Sequence, residues 1–333
     1  FTPTNFEVLE ISTPLAGGLN MARLDNIQSI TLNGMAGDQS ITGLTSGATI
    51  THQANSANNL TLDVSGDLNI GLTSDNSING GTVTATGATA VAITTTDTNE
   101  PPHQDFLTLA TANATSITVA GNAGLSLSGT GVNTKVTSFD ASGVTATGAA
   151  GGVDFYSENA TTTDSVTITG GAGNDDLQGN SARDTILAGV GDDYLAGFSG
   201  ADTLDGGAGA DGFHGGLGAD TQTGGDGDDT FNFFFVQESQ GTTKDTITDF
   251  VSETDMLNFN PITGGAGSYL GEATGYGAVL TSLTASGAAE AVLDTSTSTL
   301  YLDANGDGIL DANDMAIDLT GVTQMNAATD FIW

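Results

Sequence analysis

The chain has 333 residues, of which 40 are Asp or Glu and only four are Lys or Arg, giving a formal net charge of −36. Binding to phosphate needs clustered cations, so this balance excludes nucleic acid as a partner, and likewise unaided adhesion to an anionic membrane. With no cysteine, the chain has no disulfides, thiolate metal sites or cysteine nucleophile, and no apolar run is long enough to span a membrane.

Residues 1–169 carry a loose strand repeat. Ser29-Ile-Thr-Leu-Asn-Gly34, Ser116-Ile-Thr-Val-Ala-Gly121 and Ser165-Val-Thr-Ile-Thr-Gly170 share one pattern, and Asn59–Val64 and Gly124–Ser128 are variants of it. Apolar residues alternate with Thr and Ser, as in a strand with one face buried, and a turn residue follows. Recurrence of one strand predicts a stacked solenoid, with a β-sandwich as the alternative because the spacing is uneven. The paired prolines in Glu100-Pro-Pro-His-Gln-Asp105 predict a loop. No cleavable leader is recognisable at Phe1.

Residues 170–232 hold seven consecutive nine-residue repeats with an aspartate at the sixth position of each: Asp175, Asp184, Asp193, Asp202, Asp211, Asp220 and Asp229. The template is G-G-x-G-x-D-x-U-x, where U is a large apolar residue. Its first six positions predict a turn, and the glycines permit the positive φ such a turn needs. The last three predict a short strand with U directed inward. Two repeats then make one coil, so alternate repeats share an edge. One column is predicted to hold Asp175, Asp193, Asp211 and Asp229, and the other Asp184, Asp202 and Asp220. The second repeat departs from the template at Asn180 and Ala182, the fourth at Phe198 and the sixth at Gln222.

Two carboxylates about 4.8 Å apart, the spacing of neighbouring strands, repel by roughly 3.5 kcal/mol at an effective dielectric near 20. Stacked columns of them need a counter-ion. Calcium, a hard cation that takes 6–8 oxygens, suits a site of Asp carboxylates and turn backbone. The candidate ligands are the seven aspartates with Gly171, Gly173, Gly189, Gly191, Gly207, Gly209, Gly216 and Gly218. Same-edge pairing predicts about five well-formed sites, the poorest inner one beside Arg183.

Residues 233–333 read as a β-rich cap. Phe233-Phe-Phe-Val236 is predicted to be an apolar strand closing the repeat stack, with further strands in 244–250 and 255–259. Asp245 and Asp249, with Asp255, are candidate ligands under the cap. Asp303-Ala-Asn305-Gly-Asp307-Gly308-Ile-Leu-Asp311-Ala-Asn-Asp314 has the spacing of an EF-hand loop, with Asp314 where that loop carries Glu. It reads as an isolated calcium loop, or alternatively as a polar hairpin turn. The histidines are His52, His103 and His214. They form no zinc-hydrolase pair, and His214, at the variable ninth repeat position, is expected to be exposed. No nucleophile elbow, P-loop or Rossmann turn occurs, so the chain reads as non-catalytic.

The repeats resemble those of the RTX family, whose calcium β-rolls share this template. Lys244-Asp-Thr-Ile-Thr-Asp-Phe250 is similar to the segment that follows RTX repeats, and the apolar C-terminal end resembles an uncleaved type I secretion signal. Upstream, Thr96–Asn99, Asp105–Leu109, Thr118–Leu125 and Val136–Gly143, leading into Val166–Gly171, look like the C-terminal half of Caulobacter-type surface-layer proteins. The resemblance implies a secreted lattice protein on the cell surface. Its partners would be copies of itself, a type I exporter and, through another region, cell-surface polysaccharide. A distal region of an RTX adhesin and the carrier half of a secreted hydrolase are the alternatives.

Overall fold

A computed structural model describes residues 8–11, 17–23, 27–98, 102–161, 163–263, 267–311 and 313–333. Glu100 and Pro101 of the predicted loop Glu100–Asp105, and Ala312 of the acidic loop, lie outside the described residues; Gln104 and Asp105 belong to strand Gln104–Ala110 rather than to the loop. The fold is all-β and forms a parallel β-solenoid, divided into two compact units. One comprises residues 1–160 and 166–177, the other 161–165 and 178–333.

Among the described residues of the first unit the strands pair in parallel. Ile30 lies beside Ile50, twenty residues on, Ile117 beside Phe139, and Leu127 beside Phe155, twenty-eight residues on. Parallel neighbours one coil apart define a solenoid and rule out the sandwich alternative, which would need antiparallel hairpins. The alternation read from the sequence sets the burial. In strand Asn59–Ser74, Leu60, Leu62 and Val64 are buried while Asn59, Thr61 and Asp63 are exposed. Phe139 stacks on Phe155 with ring centroids 4.0 Å apart.

In the second unit the coil shortens to eighteen residues: Ile186 pairs with Leu204, Leu195 with Phe213, and Phe213 with Phe231. The inward residues form two ladders. Ile186, Leu204, Gln222 and Ile247 make one, and Leu195, Phe213, Phe231 and Leu257 the other. Gln222 is as buried as its apolar neighbours. The roll therefore continues past the seventh repeat, through strands Thr246–Ile247 and Met256–Asn258.

The predicted capping strand at Phe233–Val236 does not form. Residues 233–235 are irregular and Val236–Glu238 is a 3-10 turn. The buried Glu238 carboxylate accepts the Phe234 N–H at 2.9 Å, which turns the chain away from the ladder. Phe233 still packs inward and stacks on Phe259. Beyond it, Ala289–Asp294, Thr299–Asp303 and Met315–Leu319 form an antiparallel sheet, joined to the roll where Met315–Leu319 pairs with Thr246–Ile247. Helix Tyr276–Ser282 buries Val279 against Ala273, Leu283 and Val292.

Candidate metal centre

The eighteen-residue coil stacks the repeat aspartates as their frame requires. In one column the Asp184 N–H donates to Asp202 Oδ1 at 2.7 Å, the Asp202 N–H to Asp220 Oδ1 at 2.8 Å, and the Asp220 N–H to Asp245 Oδ1 at 2.9 Å. In the other, the Asp193 N–H donates to Asp211 Oδ1 at 2.8 Å, the Asp211 N–H to Asp229 Oδ1 at 2.9 Å, and the Asp229 N–H to Asp255 Oδ1 at 3.1 Å. Each carboxylate thus reaches back one coil and accepts the N–H of the aspartate before it. Ser239 Oγ accepts the Asp245 N–H and ends the first column. Asp175 belongs to the first unit, where its carboxylate accepts the N–H groups of Val153 and Gly171.

One oxygen of each carboxylate is thereby engaged. The other, Oδ2 of Asp202, Asp211, Asp220, Asp229 and Asp245, is buried with no hydrogen-bond partner among the described residues. In the fourth to seventh repeats the first glycine makes room for it. A Cβ at Gly197, Gly206, Gly215 or Gly224 would stand 2.4, 2.2, 2.6 or 2.2 Å from that oxygen. A buried acceptor without a donor is costly, and a carboxylate oxygen in that position fits a cation.

The turns also bring backbone carbonyls close to the next coil. Gly189, Gly191, Gly207, Gly209, Gly216 and Gly218 have φ between +93° and +151°. A Cβ at Gly207 would stand 2.2 Å from the Gly189 carbonyl oxygen, and one at Gly209 1.7 Å from that of Gly191. Carbonyl oxygens thus press against the turns of the next coil, where only glycine fits. Gly200, Gly225 and Gly227 share this conformation and belong with the candidate ligands. Gly171 and Gly173 do not adopt it, and pack instead against Val144 and Gly151 of the first unit. Among the described residues no three acidic or imidazole groups converge on one point. Any ion here would be held by carboxylates and carbonyls together, the oxygen set calcium takes.

Burial pushes these carboxyls up: Asp211, Asp220 and Asp229 to about 6, Asp202 to about 8 and Asp245 to about 9. Neighbouring carboxylates add to the rise and the backbone hydrogen bonds oppose it. Asp249 stands apart from the columns. Its two oxygens accept the N–H groups of Gly224 and Gly225, each at 2.9 Å. Asp255, by contrast, continues a column. The signal for it lies in the sequence, since Asp255-Met-Leu257-Asn and Asp245-Thr-Ile247-Thr both repeat the D-x-U-x half of the template.

His214 is not exposed as expected. Its Nε2 lies 3.1 Å from Glu238 Oε1 and its ring meets the edge of Phe234. In the acidic loop, Asp303 accepts the N–H groups of Gly306 and Gly308, Asn305 that of Asp307, and Asp307 that of Ile309. Asp311 accepts from Asn313, and Asp314 from Ala304 and Asp311. These hydrogen bonds shape the loop between the antiparallel strands Thr299–Asp303 and Met315–Leu319, and they belong equally to a polar turn and to an oxygen-lined cation loop.

Residues 99–333, well over half of the chain, match the family described as Peptidase M10 serralysin C terminal. No curated protein matches the chain.

Proposed function

The chain belongs to the serralysin C-terminal family of RTX-type β-rolls, whose members are parts of secreted proteins, and on that footing we propose that it is a structural protein of a bacterial surface layer whose roll folds on calcium outside the cell. The observation that carries this reading is the pair of aspartate columns, in which a buried oxygen of Asp202, Asp211, Asp220, Asp229 and Asp245 is left for a cation. The ligands would be Asp184, Asp202, Asp220 and Asp245 on one edge and Asp193, Asp211, Asp229 and Asp255 on the other, joined by the carbonyls of the glycine turns. When bound, calcium supplies the charge neutralisation and oxygen coordination that the columns lack.

In the low calcium of the cytoplasm, repulsion along the columns keeps the roll open, which suits passage through a type I exporter. Millimolar calcium outside suits extracellular sites of modest affinity. The role is non-catalytic, and the partners are copies of the same chain arranged in a lattice on the cell surface. Electron microscopy and far-UV circular dichroism of the purified chain, with millimolar calcium and then excess chelator, test both parts. Ordered arrays should form with calcium and be lost with chelator, and the β-signal should fall by the share of the roll. A β-spectrum and an assembly indifferent to chelator would sink the proposal.

The family match favours one other reading: the chain is the carrier part of a secreted hydrolase. Soluble calcium-loaded monomers that never form arrays would favour it.

A further inference from the structure

A cavity of about 250 Å³ opens in the C-terminal sheet region, where Lys244, next in sequence to the column residue Asp245, forms part of its wall. Its walls include Lys244, Tyr276, Tyr301, Leu310 and Asp311. The tyrosine rings stand 5.3 Å apart at an interplanar angle of 57°. Tyr276 is 48% exposed, so one aromatic ring is offered to solvent at the cavity.

The polar groups narrow the ligand. Lys244, one of four basic residues in the chain, has its Nζ held 2.5 Å from Asp318 Oδ1 and is only partly exposed. Asp311 Oδ1 already accepts the N–H and side-chain amide of Asn313. The cavity, which Asp314 also lines, therefore presents a paired cation and two carboxylates that accept neutral N–H groups, a lining that disfavours a free anion and keeps acceptors for hydroxyl groups. It offers a donor, an acceptor and an aromatic face together. The ligand that matches all three is a neutral ring with one apolar C–H face and hydroxyls on its rim. The volume falls below the roughly 300–1,000 Å³ of drug-sized sites, which suits a single sugar unit of a longer chain.

We propose that this cavity is a carbohydrate subsite, in which a neutral hexose unit stacks on Tyr276 and hydrogen-bonds to Lys244 and Asp311. The site uses none of the column aspartates, though Asp311 belongs to the acidic loop and Lys244 directly precedes Asp245. Saturation-transfer NMR on the full calcium-loaded chain tests it, with the methyl glycosides of glucose, galactose, mannose and N-acetylglucosamine as probes. Transfer to ring C–H protons is expected for at least one glycoside. Affinity should fall about fivefold or more in Tyr276→Ala and hold within about twofold in Tyr276→Phe, because stacking is lost in the first and kept in the second. If Tyr276→Ala does not retain the wild-type amide spectrum, Lys244→Gln serves as the second variant, and a loss of binding is again expected. No transfer to any of the four probes, or binding unchanged in the variant that folds, overturns the proposal.

Discussion

Both units wind parallel coils, but they fill them differently. The first unit takes twenty residues or more per coil and buries several apolar side chains from each long strand, as Leu60, Leu62 and Val64 show. Its outward rows are largely Thr, Ser and Asn, which need no counter-ion. The second closes a coil in eighteen residues. Each half-coil contributes one large core residue, and a carboxylate is buried beside it. A short coil has little apolar surface to offset those buried charges. The difference is therefore in what makes folding favourable: apolar burial in the first unit, charge neutralisation in the roll.

Removing calcium has the largest expected effect and tests the contrast directly. In excess chelator at neutral pH, amides of residues 178–259 should exchange hydrogen at the rate of an open chain, while those of 59–97 stay protected. Peptide-resolved exchange measures both in one experiment. Equal loss of protection in the two units would break the comparison.

Acid should partly replace calcium in the roll. The column carboxyls rise from an ordinary 3.8 to about 6 for Asp211, Asp220 and Asp229, about 8 for Asp202 and about 9 for Asp245. A folded pKa above the unfolded one means that the folded state holds the proton more tightly. The contribution is complete below 3.8 and is lost as pH rises through 6 to 9. In chelator, then, protection of the roll should return as pH is lowered from about 8 to about 4.5. Asp211→Asn should act in the same direction: without calcium it stabilises the roll by about 1–3 kcal/mol at pH 8, and with calcium it weakens ion affinity. Denaturant midpoints in the two conditions check that reversal of sign.

Much of the roll was legible in the sequence because its physics is local. A fixed frame sets which residue turns, which points inward and which carries charge, so the columns follow from counting. The frame also reaches Asp255, through D-x-U-x. The misreadings arose where distant groups decide. Phe233–Val236 has the composition of a strand, but Glu238 takes the Phe234 N–H. The same glutamate draws in His214, which position alone would leave outside. Gly171 and Gly173 fit the template, yet they pack on Val144 and Gly151, whose loops no repeat frame describes. The solenoid of the first unit was legible as alternating strands at uneven spacing, while the length of each coil, twenty residues at Ile30 and twenty-eight at Leu127, needed the pairing.

Glycine substitutions sharpen the contrast at single residues. Gly207 has φ +101°, and a Cβ there would stand 2.2 Å from the Gly189 carbonyl oxygen. Gly207→Ala should cost about 2–4 kcal/mol in calcium, from backbone strain and the clash together. In the first unit, a Cβ added at Gly37 would meet no atom within 4 Å, and the backbone there has no positive φ. Gly37→Ala should stay within about 0.5 kcal/mol. Guanidinium unfolding of both variants, followed unit by unit, measures the difference.

The smallest effect expected concerns Phe198, which occupies the second position of the fourth repeat, where Gly189, Gly207, Gly216 and Gly225 stand in others. It holds φ at +71°, a left-handed conformation that costs a side chain about 1–2 kcal/mol. Its ring is 44% exposed, so burial returns only part of that cost. Phe198→Gly removes the strain but adds about 0.5–1 kcal/mol of chain entropy to folding, leaving a net gain of up to about 1 kcal/mol. Phe198→Ala keeps the strain and loses the ring, so it should be the least stable of the three. The order Gly, Phe, Ala in calcium-loaded melting temperature would show that turn geometry governs this position. Phe above Gly would show instead that the ring's packing outweighs the turn, and would bring the roll closer to the apolar logic of the first unit.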